Sequence, residues 1–306
     1  TFVKNGKLYR RIPEVFDCWF ESGSMPYAQN HYPFENKQSF EHSFPADFIA
    51  EGLDQTRGWF YSLLVLGVGL FGQSPYRNAV VNGLILAEDG QKMSKRLNNY
   101  PDLNLTIDKY GADALRLYLL SSPAARGEEF IFSERGLAEV MRRAIIRLQN
   151  VLAFHQLYAV ENYPVQPITE TPNLLDSWIR TRLSGLNQSV TQALDTYEID
   201  QAGKPLDDFV DDLSTWYLRR SRERFKSEDQ IVQTDTLKTL REVLLTLAKI
   251  IAPITPFVAE EIYQALRSKD DLISVHLESW PSVEIENWKL KIGKLLESMT
   301  EVRRLV

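Results

Sequence analysis

Asp47-Phe48-Ile49-Ala50-Glu51-Gly52-Leu53-Asp54-Gln55-Thr56-Arg57-Gly58-Trp59-Phe60 opens on a short β-type run and passes into a helix-like stretch from Gln55 to Leu70. Two further β-type runs follow, Ala79-Val80-Val81 and Leu84-Ile85-Leu86. Strand, helix and strand in that order predict a parallel sheet. Ligands of such sheets gather at the carboxyl ends of the strands, beside the loops and helix starts. Ala50-Glu51-Gly52 and the segment after Leu86 both fall at such an end. The apolar run Phe60 to Phe71 is interrupted by Ser62, Gly67 and Gly69. It is shorter than the roughly 20 residues a bilayer span needs and reads as a buried helix.

The segment after Leu86 is Asp89-Gly90-Gln91-Lys92-Met93-Ser94-Lys95-Arg96. Two ammonium groups three residues apart on a Gly-led loop can clamp a polyphosphate. The charge that builds on non-bridging oxygens as pyrophosphate departs is what fixed cations stabilise best. Lysines in loops are most often solvated surface, so the neighbours decide between the two readings. Glu51, Asp54 and Gln55 cluster where strand meets helix, offering acceptors and an amide to an α-ammonium and to ribose hydroxyls. Asp54 is also an N-cap candidate, three residues before Arg57. Trp19 and Trp59 suit either an apolar pocket wall or plain core packing. Gly52 and Gly83 permit close approach of backbone to a ligand.

From Ser133 onward the pattern turns helical, with Leu137, Val140, Met141, Ala144, Ile145 and Leu148 spaced by threes and fours. Pro164, Pro167 and Pro172 mark a linker between Tyr163 and Asn173, and helices resume at Leu174. The chain is thus expected to be α/β over residues 1–132 and all-α over 133–306. Arginines concentrate in the second part. Asp207, Asp208, Asp211 and Asp212 precede Arg219 and Arg220, so many of these arginines are expected in structural ion pairs. Trp216, Arg219 and Arg220 read as packing residues, which leaves Arg142, Arg143 and Arg147 as the candidates for RNA phosphates. His31, His42, His155 and His276 show no metal-ligand spacing, and no zinc site is expected.

With 306 residues and 44% hydrophobic side chains, the chain can bury cores for two domains. A formal charge of -6 argues against a uniformly basic nucleic-acid coat but not against local basic patches. A single cysteine, Cys18, excludes an intrachain disulfide and fits the reducing cytoplasm.

Four segments appear in one order and at one spacing: Asp17-Cys18-Trp19-Phe20-Glu21-Ser22-Gly23-Ser24-Met25-Pro26, Ala50 to Phe60, the dilysine loop and Gly111-Ala112-Asp113-Ala114-Leu115-Arg116. Together they resemble the class I aminoacyl-tRNA synthetases, and within them the isoleucine branch of eukaryote-like type. The family loop usually reads Lys-Met-Ser-Lys-Ser; Arg96 stands at its last position here. Trp178 to Arg182 and Asp207 to Phe225 are similar to the helical anticodon-binding domain of the isoleucine, valine and leucine enzymes. The resemblance implies the C-terminal half of a Rossmann-like catalytic domain followed by a helical anticodon-binding bundle, incomplete at its C-terminal end.

Its implied chemistry is ATP-dependent attachment of isoleucine to tRNA(Ile) through an adenylate, with Mg²⁺ on the phosphates, in a monomer without membrane contact. Lys92 and Lys95 are then catalytic. Gly83, Lys92, Met93, Ser94 and Lys95 bind ATP, and Trp19, Glu51, Gly52, Asp54, Gln55 and Trp59 bind the aminoacyl-adenylate. The family's upstream His-x-Gly-His element and its editing domain have no counterpart in these residues, so the chain alone is expected to be inactive in activation. A valine or leucine enzyme, or a noncatalytic tRNA-binding module, is the alternative.

Overall fold

The computed structural model describes residues 1–94, 96–159, 173–282 and 298–303. The expected linker between Tyr163 and Asn173 lies, but for Asn173, outside the described residues, as does Lys95. The chain divides into two compact units, Thr1–Gly83 and Leu84–Val306.

The first unit opens on an antiparallel hairpin of β1 (Phe2–Lys4) and β2 (Lys7–Tyr9). Helices α1 (Cys18–Gly23), α2 (Met25–Ala28) and α3 (Lys37–Ser43) follow. Asp17 starts α1 by accepting from the Trp19 N–H at 2.8 Å, satisfying a donor that has no partner within the helix. Next come β3 (Ala46–Gly52), α4 (Trp59–Phe71) and β4 (Tyr76–Asn82). The two strands pair in parallel, from Ala46 opposite Tyr76 to Gly52 opposite Asn82. The order expected from the sequence is therefore present. Ile49, Phe60 and Leu63 form the buried core between sheet and helix, with Trp59, Tyr76 and Val81 packed on it.

Two details differ from the sequence reading. The helix does not begin at Gln55: Leu53–Arg57 is a 3₁₀ turn, and Gly58 breaks it from α4. Nor is α4 buried all round, because Tyr61, Leu64, Val65, Val68 and Leu70 are exposed while Phe60, Leu63 and Gly67 face inward. A uniformly apolar run hides which face is inside, since periodicity is the only signal sequence offers.

In the second unit β5 (Ile85–Leu86) pairs in parallel with β6 (Phe130–Ile131), across α5 (Leu103–Tyr110) and α6 (Ala112–Leu120). Ser133 then caps α7 (Glu134–Val140), which continues through a π-turn, Met141–Ile146, into α8 (Arg147–Tyr158). Beyond lie α9 (Leu174–Asp195) and α10 (Ile199–Asp211), a second π-turn at Asp212–Tyr217, α11 (Leu218–Arg220), α12 (Arg222–Phe225), α13 (Gln230–Ile251) and α14 (Pro256–Leu266). Their apolar faces meet in one core that includes Trp178, Phe209, Tyr217, Leu240 and Ile262. The architecture is α/β followed by all-α, as expected.

The Gly111-to-Arg116 segment has a structural task that the sequence did not reveal. Asp113, buried in α6, accepts from the backbone N–H of Val258 at 2.6 Å and of Phe257 at 3.3 Å, so it caps α14 from another helix. Burial raises the Asp113 carboxyl above its usual range despite these bonds. Arg116 donates to the carbonyls of Ile254 and Pro253 at 3.0 and 2.9 Å. One turn of helix therefore holds both sides of the bend between α13 and α14.

Candidate functional site

The parallel register brings Glu51 opposite Val81 and Gly52 opposite Asn82, so Glu51, Gly52 and Gly83 gather at one carboxyl end of the sheet. Glu51 and Asp54 are exposed there, as a ligand would require. Asp54 is not the N-cap the sequence suggested. It lies inside the 3₁₀ turn and accepts from Gln55 Nε2 at 3.1 Å. The capping falls to Gln55, whose Oε1 accepts from the Trp59 N–H at 3.0 Å, so one amide joins Asp54 to the start of α4.

The two tryptophans converge on this turn. Trp59 Nε1 donates to the Ser22 carbonyl at 3.0 Å and ties α4 to α1. Trp19, 44% exposed, covers Gly58: a Cβ there would lie 2.9 Å from the Trp19 ring and 2.8 Å from Gln55 Oε1. Gly58 is thus required by the close approach of an indole and an amide. Its only signal in sequence was its place between Arg57 and Trp59.

In the second unit the dilysine loop is a tied structure. The Ala87 N–H donates to the Gln91 carbonyl and the Gly90 N–H to the Ala87 carbonyl, both at 2.8 Å, closing a tight turn at Gly90 with φ +78°. Such a φ suits glycine because it has no Cβ to clash. Lys92 bridges back to Leu86 on β5. Asn99 fastens the far side, accepting from the Ser94 N–H at 2.9 Å and donating to the Lys92 carbonyl at 3.3 Å. Met93 packs beside the core of Ala114, Leu115, Phe132 and Leu137, and Ser94 Oγ accepts from the Leu97 N–H. The Lys92 side chain is left exposed, with no ion pair among the described residues.

The arginines sort differently from the sequence reading. Arg143 pairs with Asp207 at 2.6 Å and Arg147 with Asp211 at 2.7 Å, while Arg142 is exposed. Arg182 pairs with Asp212, and Arg224 grips Asp176, which also accepts from the buried Tyr217 hydroxyl. Burial drives the Tyr217 phenol well above its usual range. Asp207, Asp211 and Asp212 therefore serve Arg143, Arg147 and Arg182, not Arg219 and Arg220. Arg220 stacks over the Trp216 ring at 4.5 Å, but Arg219 and Arg220 are both exposed, not partly buried as expected. Charge patterning could not decide this, because the partners stand on other helices.

Among the described residues no helix is long and apolar enough to cross a membrane, and no group of three or more His, Cys, Asp or Glu could hold a metal ion.

Two family models match the chain. The family described as tRNA synthetases class I (I, L, M and V) matches residues 2–131, and the anticodon-binding domain of tRNA ligase matches 176–306. The chain belongs to the class I tRNA synthetases. Among curated relatives it is 49% identical over 304 residues to the isoleucine–tRNA ligase of Chlamydia trachomatis serovar D and 53% identical over 284 residues to that of Protochlamydia amoebophila. These alignments cover 98% and 92% of this chain but only 29% and 27% of the relatives, so the chain spans less than a third of their length. In fold it resembles a LeuRS from Agrobacterium radiobacter K84 solved with tRNA and LeuAMS, with a TM-score of 0.68, 18% identity and coverage of 90% of this chain and 34% of the other. It also resembles methionyl-tRNA synthetase of Mycobacterium tuberculosis in complex with methionyl-adenylate, with a TM-score of 0.63, 21% identity and coverage of 77% and 47%.

Proposed function

We propose that this chain supplies part of the activation site and the tRNA-binding bundle of an enzyme that attaches isoleucine to tRNA(Ile) at the expense of ATP. In this reading residues 1–132 belong to catalysis and 133–306 to the anticodon-binding domain. The observation that carries it is the convergence at the end of β3: Glu51, Gly52 and Asp54, the Gln55 amide, and the indoles of Trp19 and Trp59 around one turn. Carboxylates there suit the α-ammonium and ribose hydroxyls, and the indoles suit a branched aliphatic side chain. Such a pocket separates isoleucine from valine by only about 1 to 3 kcal/mol, and this pair is the standard illustration of how little one methylene is worth.

Lys92 and Lys95 stabilise the charge on departing pyrophosphate, and Gly90 lets their loop shift as it leaves. Gly83, Met93 and Ser94 complete the nucleotide contacts, Met93 by anchoring the loop. Mg²⁺ travels with the triphosphate, whose oxygens are its natural ligands. The ligase acts as a cytoplasmic monomer.

The test is Lys95→Ala in the full-length parent enzyme. Isoleucine-dependent pyrophosphate exchange should fall about 100-fold or more in kcat with little change in the KM for isoleucine, because the interaction is made in the transition state. Unchanged exchange kinetics would remove the assignment. Exchange driven by valine or leucine in preference to isoleucine would move the chain to the neighbouring specificity.

A further inference from the structure

Arg143 with Asp207 and Arg147 with Asp211 form two rungs of a ladder, each residue four positions from the next on its own helix. Continued upward, the acidic side of that ladder reads Thr215 and then Arg219. Where the acids stop, a cavity of about 470 Å³ opens, lined by Arg147, Asn150, Phe154, Leu218, Arg219 and Arg222 among others. Its size is that of a small-molecule pocket. Part of its wall is the π-turn Asp212–Tyr217, an irregularity often found at functional sites.

The wall carries two arginines that no carboxylate of the bundle balances among the described residues. Arg143, Arg147, Arg180, Arg182 and Arg224 each hold a carboxylate. Arg219 and Arg222, both exposed, have no ion pair or side-chain hydrogen bond among the described residues. Like charges one turn apart repel slightly, so their placement brings the fold no evident return. Val151, Phe154 and Leu218 add apolar surface to the same cavity. A guanidinium pair beside an aromatic surface is the combination that holds an unstacked nucleotide, by phosphate at one end and ribose or base at the other.

We propose that this cavity seats one nucleotide of bound RNA, its phosphodiester on Arg219 and Arg222 and its sugar or base against Phe154 and Leu218. The inference rests on the tRNA-binding reading above, which gives the RNA, and adds the place on the bundle where it is held. Arg143 lies in the ion-paired part of the ladder and Arg147 at the cavity's edge, so neither is the principal cation.

Fluorescence anisotropy of this 306-residue chain with tRNA(Ile), across a salt series, tests it. Arg219→Gln and Arg222→Gln should each weaken binding roughly 3- to 10-fold and lower the slope of log K against log salt by about 1. The melting temperature should not change, since neither side chain has an ion-pair or hydrogen-bond partner among the described residues to lose. Arg219→Lys should restore the slope but not the full affinity, because the charge returns without the planar fork. Lys269→Gln, in the turn after α14, should leave the slope alone. If the wild-type chain binds tRNA and the Arg219→Gln/Arg222→Gln double variant binds with the same affinity and slope, the seat is overturned while the tRNA-binding reading stands. An equal loss from Lys269→Gln overturns it too, since the effect would then be diffuse charge. Failure of the wild-type chain to bind tRNA at low salt overturns both.

Discussion

At the scale of single residues, the sheet-end site depends on what is absent at position 58. The space where a side chain would begin is held by the Trp19 ring and the Gln55 amide. Gly58→Ala should push both away, breaking the cap on Trp59 and reshaping the aliphatic pocket. We expect a loss of roughly 1 to 3 kcal/mol in stability, read by denaturant titration, together with weaker isoleucine binding in the full-length enzyme. Retention of both would mean the indole is not a wall of the site. His155 gives a pH prediction. Burial, reinforced by the Arg241 charge, pushes its imidazole down to about 4. The unfolded chain, with an ordinary imidazole near 6.5, takes up a proton that the folded chain refuses. Stability is therefore full above about pH 6.5 and falls as the pH drops toward 4, by about 2 kcal/mol at pH 5. Urea titrations at pH 7 and pH 5 should show this loss, and His155→Leu should abolish its imidazole share.

At the scale of elements, α6 and α10 meet through Gly203. A Cβ there would stand 2.1 Å from Ser121 Oγ and 3.3 Å from Leu117 Cδ1. Gly203→Ala should cost about 1 to 3 kcal/mol by overpacking, and adding Ser121→Gly should recover most of it, a coupling that a double-mutant cycle measures. Additive losses would show that the helices separate instead of jamming. This contact also marks the limit of what the sequence could show. The strand, helix and strand between Ala46 and Asn82, the Gly-led loop at Gly90 and the onset of helix near Ser133 rest on patterns within a few residues, and these were legible. Gly203 against Ser121, Asp113 capping α14 and Arg147 on Asp211 join residues 64 or more positions apart, and no local pattern encodes such pairs. The candidate site divides in the same way. Its residue types were readable from Glu51 to Trp59, whereas the exchange of capping roles between Asp54 and Gln55 required a 3₁₀ turn that propensity does not signal.

At the scale of the whole molecule, the two compact units differ in how much they bury. The first rests on Ile49, Phe60 and Leu63, and leaves Phe48, Tyr61, Val65 and Leu70 exposed. The second closes a core running from α6 to α14, with Trp178, Phe209, Tyr217 and Phe225 almost wholly excluded from water. Hydrophobic stabilisation scales with the apolar area removed from water, at about 25 cal/mol per Å². A small unit with one exposed helix face must therefore open at lower free energy than the bundle. Hydrogen exchange of the 306-residue chain should show weak protection in β3, α4 and β4 and protection close to the global unfolding free energy in α9 and α13. Urea should accordingly remove the tryptophan signal of Trp19 and Trp59 before that of Trp178. Single-tryptophan variants make the order visible, and coincident transitions would show that the units unfold as one. On the proposed function the two roles divide along the same line: RNA binding is read onto the unit with the larger core and the adenylate onto the unit with the smaller one. We therefore expect the isolated chain to bind tRNA without catalysing pyrophosphate exchange, and robust exchange by the purified chain would contradict this division.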